Sequence, residues 1–446
     1  MPYGVFMVLM SLNTIARRYF RVTAHPATRP PSGGRHVLRF LLLLVPFVIV
    51  GCGVEESIRE AFRGETPRER YIGSLDRAGL TDTELTHRWL ALSDQVLHTP
   101  LPTSLPHLES GRFEASEPTA LGWQFELRRG ERLTVSLRLD PVAALTAPDP
   151  TTRVPSVFLE LYRLRGSDEP DRRPLLVASP EPTADTLAYE ARSNAAYLLR
   201  LQPELLVEGD FEVVIRRGPS LAFPVEGHGT GDIQSVFGDP RDGGRREHHG
   251  VDIFSPRGTP VLAVSPGRVT RVRETPIGGN VVWVRDDRWG ISQYYAHLDS
   301  QAVVSGTDVE SGDTLGFVGN TGNAISTPPH LHFGLYMRGE GPVDPWYFLH
   351  DAGGSPTPLA VSASAFRSRG WTAGSHVRIR ESPSPSAPPL GGSEAPDGLE
   401  RSDDLARPTL RVLTATGSWL RVRLPDGRQG YLPQNQFEAF DDGGPP

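Results

Sequence analysis

His330 and His332 stand two apart in the run His330-Leu331-His332-Phe333, where polar and apolar residues alternate. On a strand both imidazoles leave by one face, about 7 Å apart along the chain, and Leu331 and Phe333 face the other way. Upstream, His248 and Asp252 are four residues apart. A straight strand would separate them by about 13 Å, too far to share an ion. The chain must bend between them, and Gly250 is the residue that permits it. A helix would also bring i and i+4 together. Here, however, the flanks Arg241-Asp242-Gly243-Gly244 and Ser255-Pro256-Arg257-Gly258 are loop punctuation.

A further histidine sits in Tyr295-Ala296-His297-Leu298, and glycines and strand-like segments separate the pieces. Neutral imidazole and carboxylate suit a borderline-soft dication, and a catalytic zinc keeps three protein ligands plus a water. Two imidazoles are then left to move protons or hold developing charge. The set points to a metal-dependent hydrolase. A lone His-x-His would carry little weight, and His25, His36, His87, His98, His107, His228, His350 and His376 are read as ordinary surface or core residues.

Residues 248–258, the Tyr-Ala-His-Leu run, Gly319-Asn320-Thr321-Gly322-Asn323 and Pro329-His330-Leu331-His332-Phe333 together resemble lysostaphin-type (LytM-like) cell-wall endopeptidases. The resemblance covers roughly residues 225–350 and has both signature motifs in chain order. It implies that His248, Asp252 and His332 bind Zn2+ and that His297 and His330 assist the water and the transition state. It implies peptide-bond hydrolysis by metal-activated water, with the two assisting roles undivided between His297 and His330. Asn280 and Tyr295 become candidate substrate contacts. His249 is an extra histidine beside His248, in a position the motif leaves open.

Composition removes competitors. Every one of the 46 basic residues is Arg, so no Walker-A lysine, Schiff-base lysine or Ser-Lys dyad exists. The net charge is −7, with no basic run interleaved with aromatics in the folded part, which argues against a nucleic-acid partner. Gly-x-Ser-x-Gly does not occur.

Cys52 is the only cysteine, so no intramolecular disulfide can form. It follows an apolar run, residues 40–51, behind Arg35 and Arg39. That run is too short to span a bilayer and suits a signal-peptide core. Ile49-Val50-Gly51-Cys52 resembles a bacterial lipobox, which implies cleavage before Cys52 and acylation of its sulfur. The expectation is a lipoprotein of the cell envelope, on the outer membrane facing the periplasm, with peptidoglycan and a membrane as partners.

The expected fold class is mostly β and multidomain. Residues 1–51 form an N-terminal extension and signal peptide, and 52–108 a helical segment and linker. In that segment Thr81-Asp82-Thr83-Glu84 reads as a capping box for a helix carrying Leu85, Trp89, Leu92 and Val96 on one face. Residues 109–219 form a β-sandwich, signalled by Leu133, Val135, Leu137 and Leu139 at period two. The lysostaphin-type antiparallel β domain follows at 220–351, then a linker at 352–363. Residues 364–440 resemble a bacterial SH3-like barrel, with Trp419 and Tyr431 as candidate wall contacts, and 441–446 are a tail. The alternatives are a non-catalytic wall-binding or amidase-activating protein of the same fold, and a zinc protease acting on protein. The complete ligand set argues against the first.

Overall fold

Alternating burial along strands sets this architecture. The computed structural model describes residues 64–141, 155–165, 173–182, 184–373, 377–391 and 409–440, so the signal-peptide and lipidation readings at residues 1–52 lie outside the described residues. Helix α1 (Pro67–Arg77) begins with a reciprocal capping box between Thr66 and Glu69. Helix α2 (Glu84–His98) has Thr83 as its N-cap, accepting from Thr86 N–H, without the expected box. Its buried face is Thr86, Trp89, Ser93 and Val96, with Leu85 and Leu92 only half-buried. The face turns because α2 packs on a sheet, where Trp89 Nε1 donates to the Pro203 carbonyl at 2.8 Å. Among the described residues no helix is long and apolar enough to cross a membrane.

Nine strands follow: β1 (Leu101–Pro102), β2 (His107–Phe113), β3 (Leu121–Leu127), β4 (Glu131–Pro141), β5 (Val157–Arg163), β6 (Leu175–Ala178), β7 (Thr186–Glu190), β8 (Ala195–Pro203) and β9 (Gly209–Pro219). One sheet has the order β1-β3-β8-β5-β6, and β2-β9-β4-β7 belong to another. Their inward residues, among them Trp123, Leu133, Val135, Tyr197 and Val213, form one core.

Residues 230–350 contain the sheet that matters here. Its strands are β10 (Ile233–Ser235), β13 (Val251–Phe254), β14 (Pro260–Leu262), β15 (Gly267–Thr275), β16 (Gly279–Asp286), β17 (Ile291–Gln301), β18 (Asp308–Val309), β19 (Thr314–Val318), β20 (His330–Met337) and β21 (Gly341–Val343). A short hairpin of β11 (Pro240–Arg241) and β12 (Arg246–Glu247) stands apart. The main path is β10-β13-β20-β17-β16-β15-β18, with antiparallel pairing throughout. Val251, Ile253, Val282, Val284, Leu331, Phe333 and Leu335 point to the core face. Period two then sends Asp252, Phe254, Trp283, His330, His332 and Tyr336 to the opposite face. A short helix, α3 (Trp346–Leu349), closes this region.

The C-terminal strands are β22 (Arg369–Thr372), β23 (Leu410–Thr416), β24 (Trp419–Arg423), β25 (Gln429–Pro433) and β26 (Phe437–Ala439). They do not close into the expected barrel among the described residues. Instead β23 pairs with β2, which makes a nine-stranded sheet continuous with the sandwich. The fold is mostly β, and the described residues from Glu65 onward cluster as one compact unit.

Candidate metal centre and active-site cleft

Asp252 on β13 pairs in register with His332 on β20. His248 precedes β13, held by backbone bonds from Gly238 N–H to its carbonyl and from its own N–H to the Asp239 carbonyl. Gly250 lets this segment lie against β20, though not through a left-handed bend. A Cβ there would sit 2.4 Å from the Phe333 carbonyl oxygen.

These constraints bring three donor atoms together. His248 Nε2 lies 3.0 Å from Asp252 Oδ1 and 2.9 Å from His332 Nδ1, and His332 Nδ1 lies 2.9 Å from Asp252 Oδ1. His248 Nδ1 donates to the Val236 carbonyl at 2.9 Å, which leaves Nε2 as a lone pair facing the cluster. Burial would raise the Asp252 carboxyl, but the close approach of the His248 and His332 rings outweighs it and holds it far below the usual range. Arg241 Nη2 donates to the other carboxylate oxygen, Oδ2, at 2.5 Å and to Ser235 Oγ at 2.6 Å. The donor set fits a zinc ion: three deprotonated N/O donors, ordered by outer partners, at separations near the edge of a tetrahedral site.

His297 reaches the same cleft by a different device. Asn280 pairs with Leu298 and Val282 with Tyr295, so Ala296 and His297 together face Val281 in a β-bulge. His297 takes φ 63°, a left-handed conformation uncommon for a non-glycine residue. The bulge places Ala296 and His297 both in the cleft lining, where regular alternation would have hidden one. His297 Nδ1 donates to the Thr321 carbonyl and His330 Nδ1 to the Pro328 carbonyl, each at 2.9 Å. Each neutral ring therefore has Nε2 as its acceptor. Burial, with His332 and His330 nearby, lowers the His297 pKa to about 4. The His297 ring centre lies 5.1 Å from that of His330 and 5.9 Å from that of His332.

All five expected site residues line one cleft of about 750 Å³. His249 also lines it but is exposed, stacked on Phe237 at 6.4 Å, and stands outside the three-donor cluster. Tyr295 is a correction. It is fully buried, its hydroxyl donating to Gln293 Oε1 at 2.7 Å and accepting from Val264 N–H, so it cannot touch a substrate. The bulge shifts the alternation, and Tyr294 occupies the cleft instead. Asn280 does not line the cleft; its side-chain amide donates to the Asp299 carbonyl. Tyr431 is likewise fully buried, donating to Glu109, which excludes it as a wall contact. Trp419 is half-buried on β24. Arg241, Trp283 and Tyr294 were not singled out from sequence. Arg241 lies seven residues before His248 with Arg245 and Arg246 between them, so nothing in the sequence marked it as the partner of Asp252.

Residues 246–345 match the model of peptidase family M23. A 139-residue stretch is 36% identical to the L-Ala--D-Glu endopeptidase of Bacillus subtilis (strain 168), covering 29% of this chain and 42% of that protein. Another of 100 residues is 40% identical to the DD-carboxypeptidase/endopeptidase Mpg of Neisseria meningitidis serogroup B, covering 22% of each. The chain thus spans less than half the length of these curated relatives. The catalytic domain of the antimicrobial peptidase lysostaphin from Staphylococcus simulans is 32% identical, with 25% of this chain and 87% of that chain covered at a TM-score of 0.24.

Proposed function

We propose that this chain, through its peptidase M23 domain, is a zinc-dependent endopeptidase that hydrolyses peptide stems or cross-links of bacterial peptidoglycan. The observation that carries the reading is the convergence of His248 Nε2, Asp252 Oδ1 and His332 Nδ1 beside two further imidazoles in one cleft. A zinc ion held by these three donors would polarise the scissile carbonyl and acidify a water. The chain's own residues supply the rest. His297 is neutral near pH 7, and with Nδ1 tied to Thr321 its Nε2 can take a proton from water as the new C–O bond forms. His330, oriented by Pro328 and stacked on Phe254 with ring centres 5.0 Å apart, turns a second Nε2 to the cleft; whichever of the two histidines has taken the water proton can, as imidazolium, hold the oxyanion and then protonate the departing amine. The C–N bond breaks, and the amine leaves with the proton that water gave up.

The complete donor set favours catalysis over a non-catalytic wall-binding or amidase-activating role. Hydrolysis of cross-linked peptidoglycan peptides by the full chain tests the reading. Activity should vanish with a chelator, return with zinc and be absent in His332→Ala. Chelator-resistant activity would overturn it.

The same reading places the chain at the cell envelope, anchored by a lipid on Cys52, on the strength of the lipobox-like sequence alone. Cys52→Ser should move the protein to the soluble fraction or leave an uncut precursor. Membrane retention of a processed Cys52→Ser protein would contradict it.

A further inference from the structure

The open face of the sheet does not end at the histidines. Tyr294 sits edge-on to His332, with ring centres 5.8 Å apart, and contacts Trp283 at 4.4 Å. Tyr336 meets Trp283 at 5.2 Å. These three half-buried rings make a shelf that runs from the site toward β15, where Arg273 lines the same cleft. Arg273 is exposed, faces the Tyr294 phenol electrostatically, and forms no ion pair among the described residues. The cleft's Arg241 is already engaged by Asp252.

Three arginines (Arg241, Arg246 and Arg273) against two carboxylates (Glu247 and Asp252) line the cleft, in a chain whose net charge is −7. A bound dication adds to this excess. Such a local reversal of sign attracts and orients an anionic ligand. Position sets where the anion lies. Arg273 pairs with Val281, which faces the Ala296–His297 bulge, and Ala296 pairs with His332. Arg273 is thus level with His332 across three strand spacings, about 14 Å, the length of about four extended residues.

Resting on the reading above, we propose that Arg273 is a specificity-determining residue. It selects peptides that carry a free carboxylate within about four residues of the scissile bond, with the intervening aliphatic part lying on Trp283 and Tyr294. The substrate class is then an anionic stem peptide rather than an uncharged glycine bridge. A guanidinium–carboxylate pair gives charge-assisted, bidentate contact that a carboxamide cannot reproduce.

The test compares cross-linked muropeptides with the same molecules after their free carboxyls are converted to carboxamides, and with pentaglycine capped as its N-acetyl, C-terminal amide so that it carries no carboxylate. For the zinc-loaded full chain, amidation should lower kcat/KM about tenfold or more, mainly through KM, and pentaglycine should be the poorest of the three. Arg273→Ala should lose a similar factor on the native peptide and become indifferent to amidation. Arg273→Glu should prefer the amidated form. Arg268→Ala, on the same strand but outside the cleft lining and paired with Asp308, should behave as the parent. Calorimetric binding to the zinc-depleted chain gives a second readout. Carboxylate-selective binding that depends on Arg273, without hydrolysis in the loaded enzyme, would sink the catalytic reading and leave this inference standing. An Arg273→Ala chain that keeps the parent's carboxylate preference, or a parent that cleaves pentaglycine fastest, overturns the inference.

Discussion

His248 Nε2 and His332 Nδ1 face each other at 2.9 Å, two imidazole nitrogens that share at most one proton between them. With Asp252 Oδ1 at 3.0 and 2.9 Å from the pair, the arrangement is that of ligands awaiting a cation. Zinc should therefore stabilise the folded chain by mass action, by about 2.7 kcal/mol at a free concentration a hundred times Kd. Thermal unfolding of the full chain should shift upward on adding zinc, and the shift should be absent in His332→Ala.

Arg241 touches the Asp252 oxygen that does not face the histidines. Its removal frees that carboxylate to rotate without deleting a ligand. Arg241→Ala should weaken zinc binding about 10- to 100-fold, the usual cost of losing an outer partner, as read by chelator competition. Unchanged affinity would show that Asp252 is held by its strand alone.

His297 and His330 stand beside the three-donor cluster rather than in it. Their alanine variants should keep zinc at parental stoichiometry yet lose about 10²- to 10⁴-fold in kcat. Elemental analysis and steady-state kinetics on the same samples separate the two roles. Loss of zinc from either variant would move that histidine into the ligand set.

Glu109 holds the C-terminal strands to the sandwich. Fully buried, it accepts from Trp123 Nε1 at 2.6 Å, the Tyr431 hydroxyl at 3.0 Å, Arg421 at 3.4 Å and the Thr414 hydroxyl. Burial pushes its carboxyl up, but the Arg421 charge and the His107 hydrogen bond win and hold it well below the usual range. Glu109→Gln leaves Arg421 buried without its counter-charge, which should cost about 3–5 kcal/mol near pH 7. A depressed folded-state pKa contributes stability above the unfolded value of about 4.3 and loses it as pH falls below that. The gap between parent and Glu109→Gln in chemical denaturation should therefore narrow from pH 5 to pH 3. A gap constant over that range would place the variant's cost elsewhere.

Where a signal is local, the sequence carried it. His330 and His332 share a face because Leu331 and Phe333 alternate with them, and β4 follows the period of Leu133 to Leu139. The bulge at His297 was hidden, because it comes from how β17 fits between β16 and β20. Regular alternation gives Tyr295 the face of His297, two residues on. The left-handed turn at His297 shifts that parity by one, so Tyr294 has the cleft and Tyr295 the core. In the C-terminal segment the hidden feature is of a similar kind. Its strands β24 and β25 were legible, but not the partner of β23, which lies some three hundred positions earlier at Ser110 and Gly111. Tyr431, read as a candidate wall contact, instead donates to Glu109 on that distant strand.

Mass spectrometry of fragments released from purified sacculi by the zinc-loaded full chain tests the central claim most directly. New amino and carboxyl termini should appear within the peptide stems or cross-links, each cleavage adding one water, with none formed by the zinc-depleted chain. Intact stems detached from the glycan, or no new peptide termini at all, would contradict it.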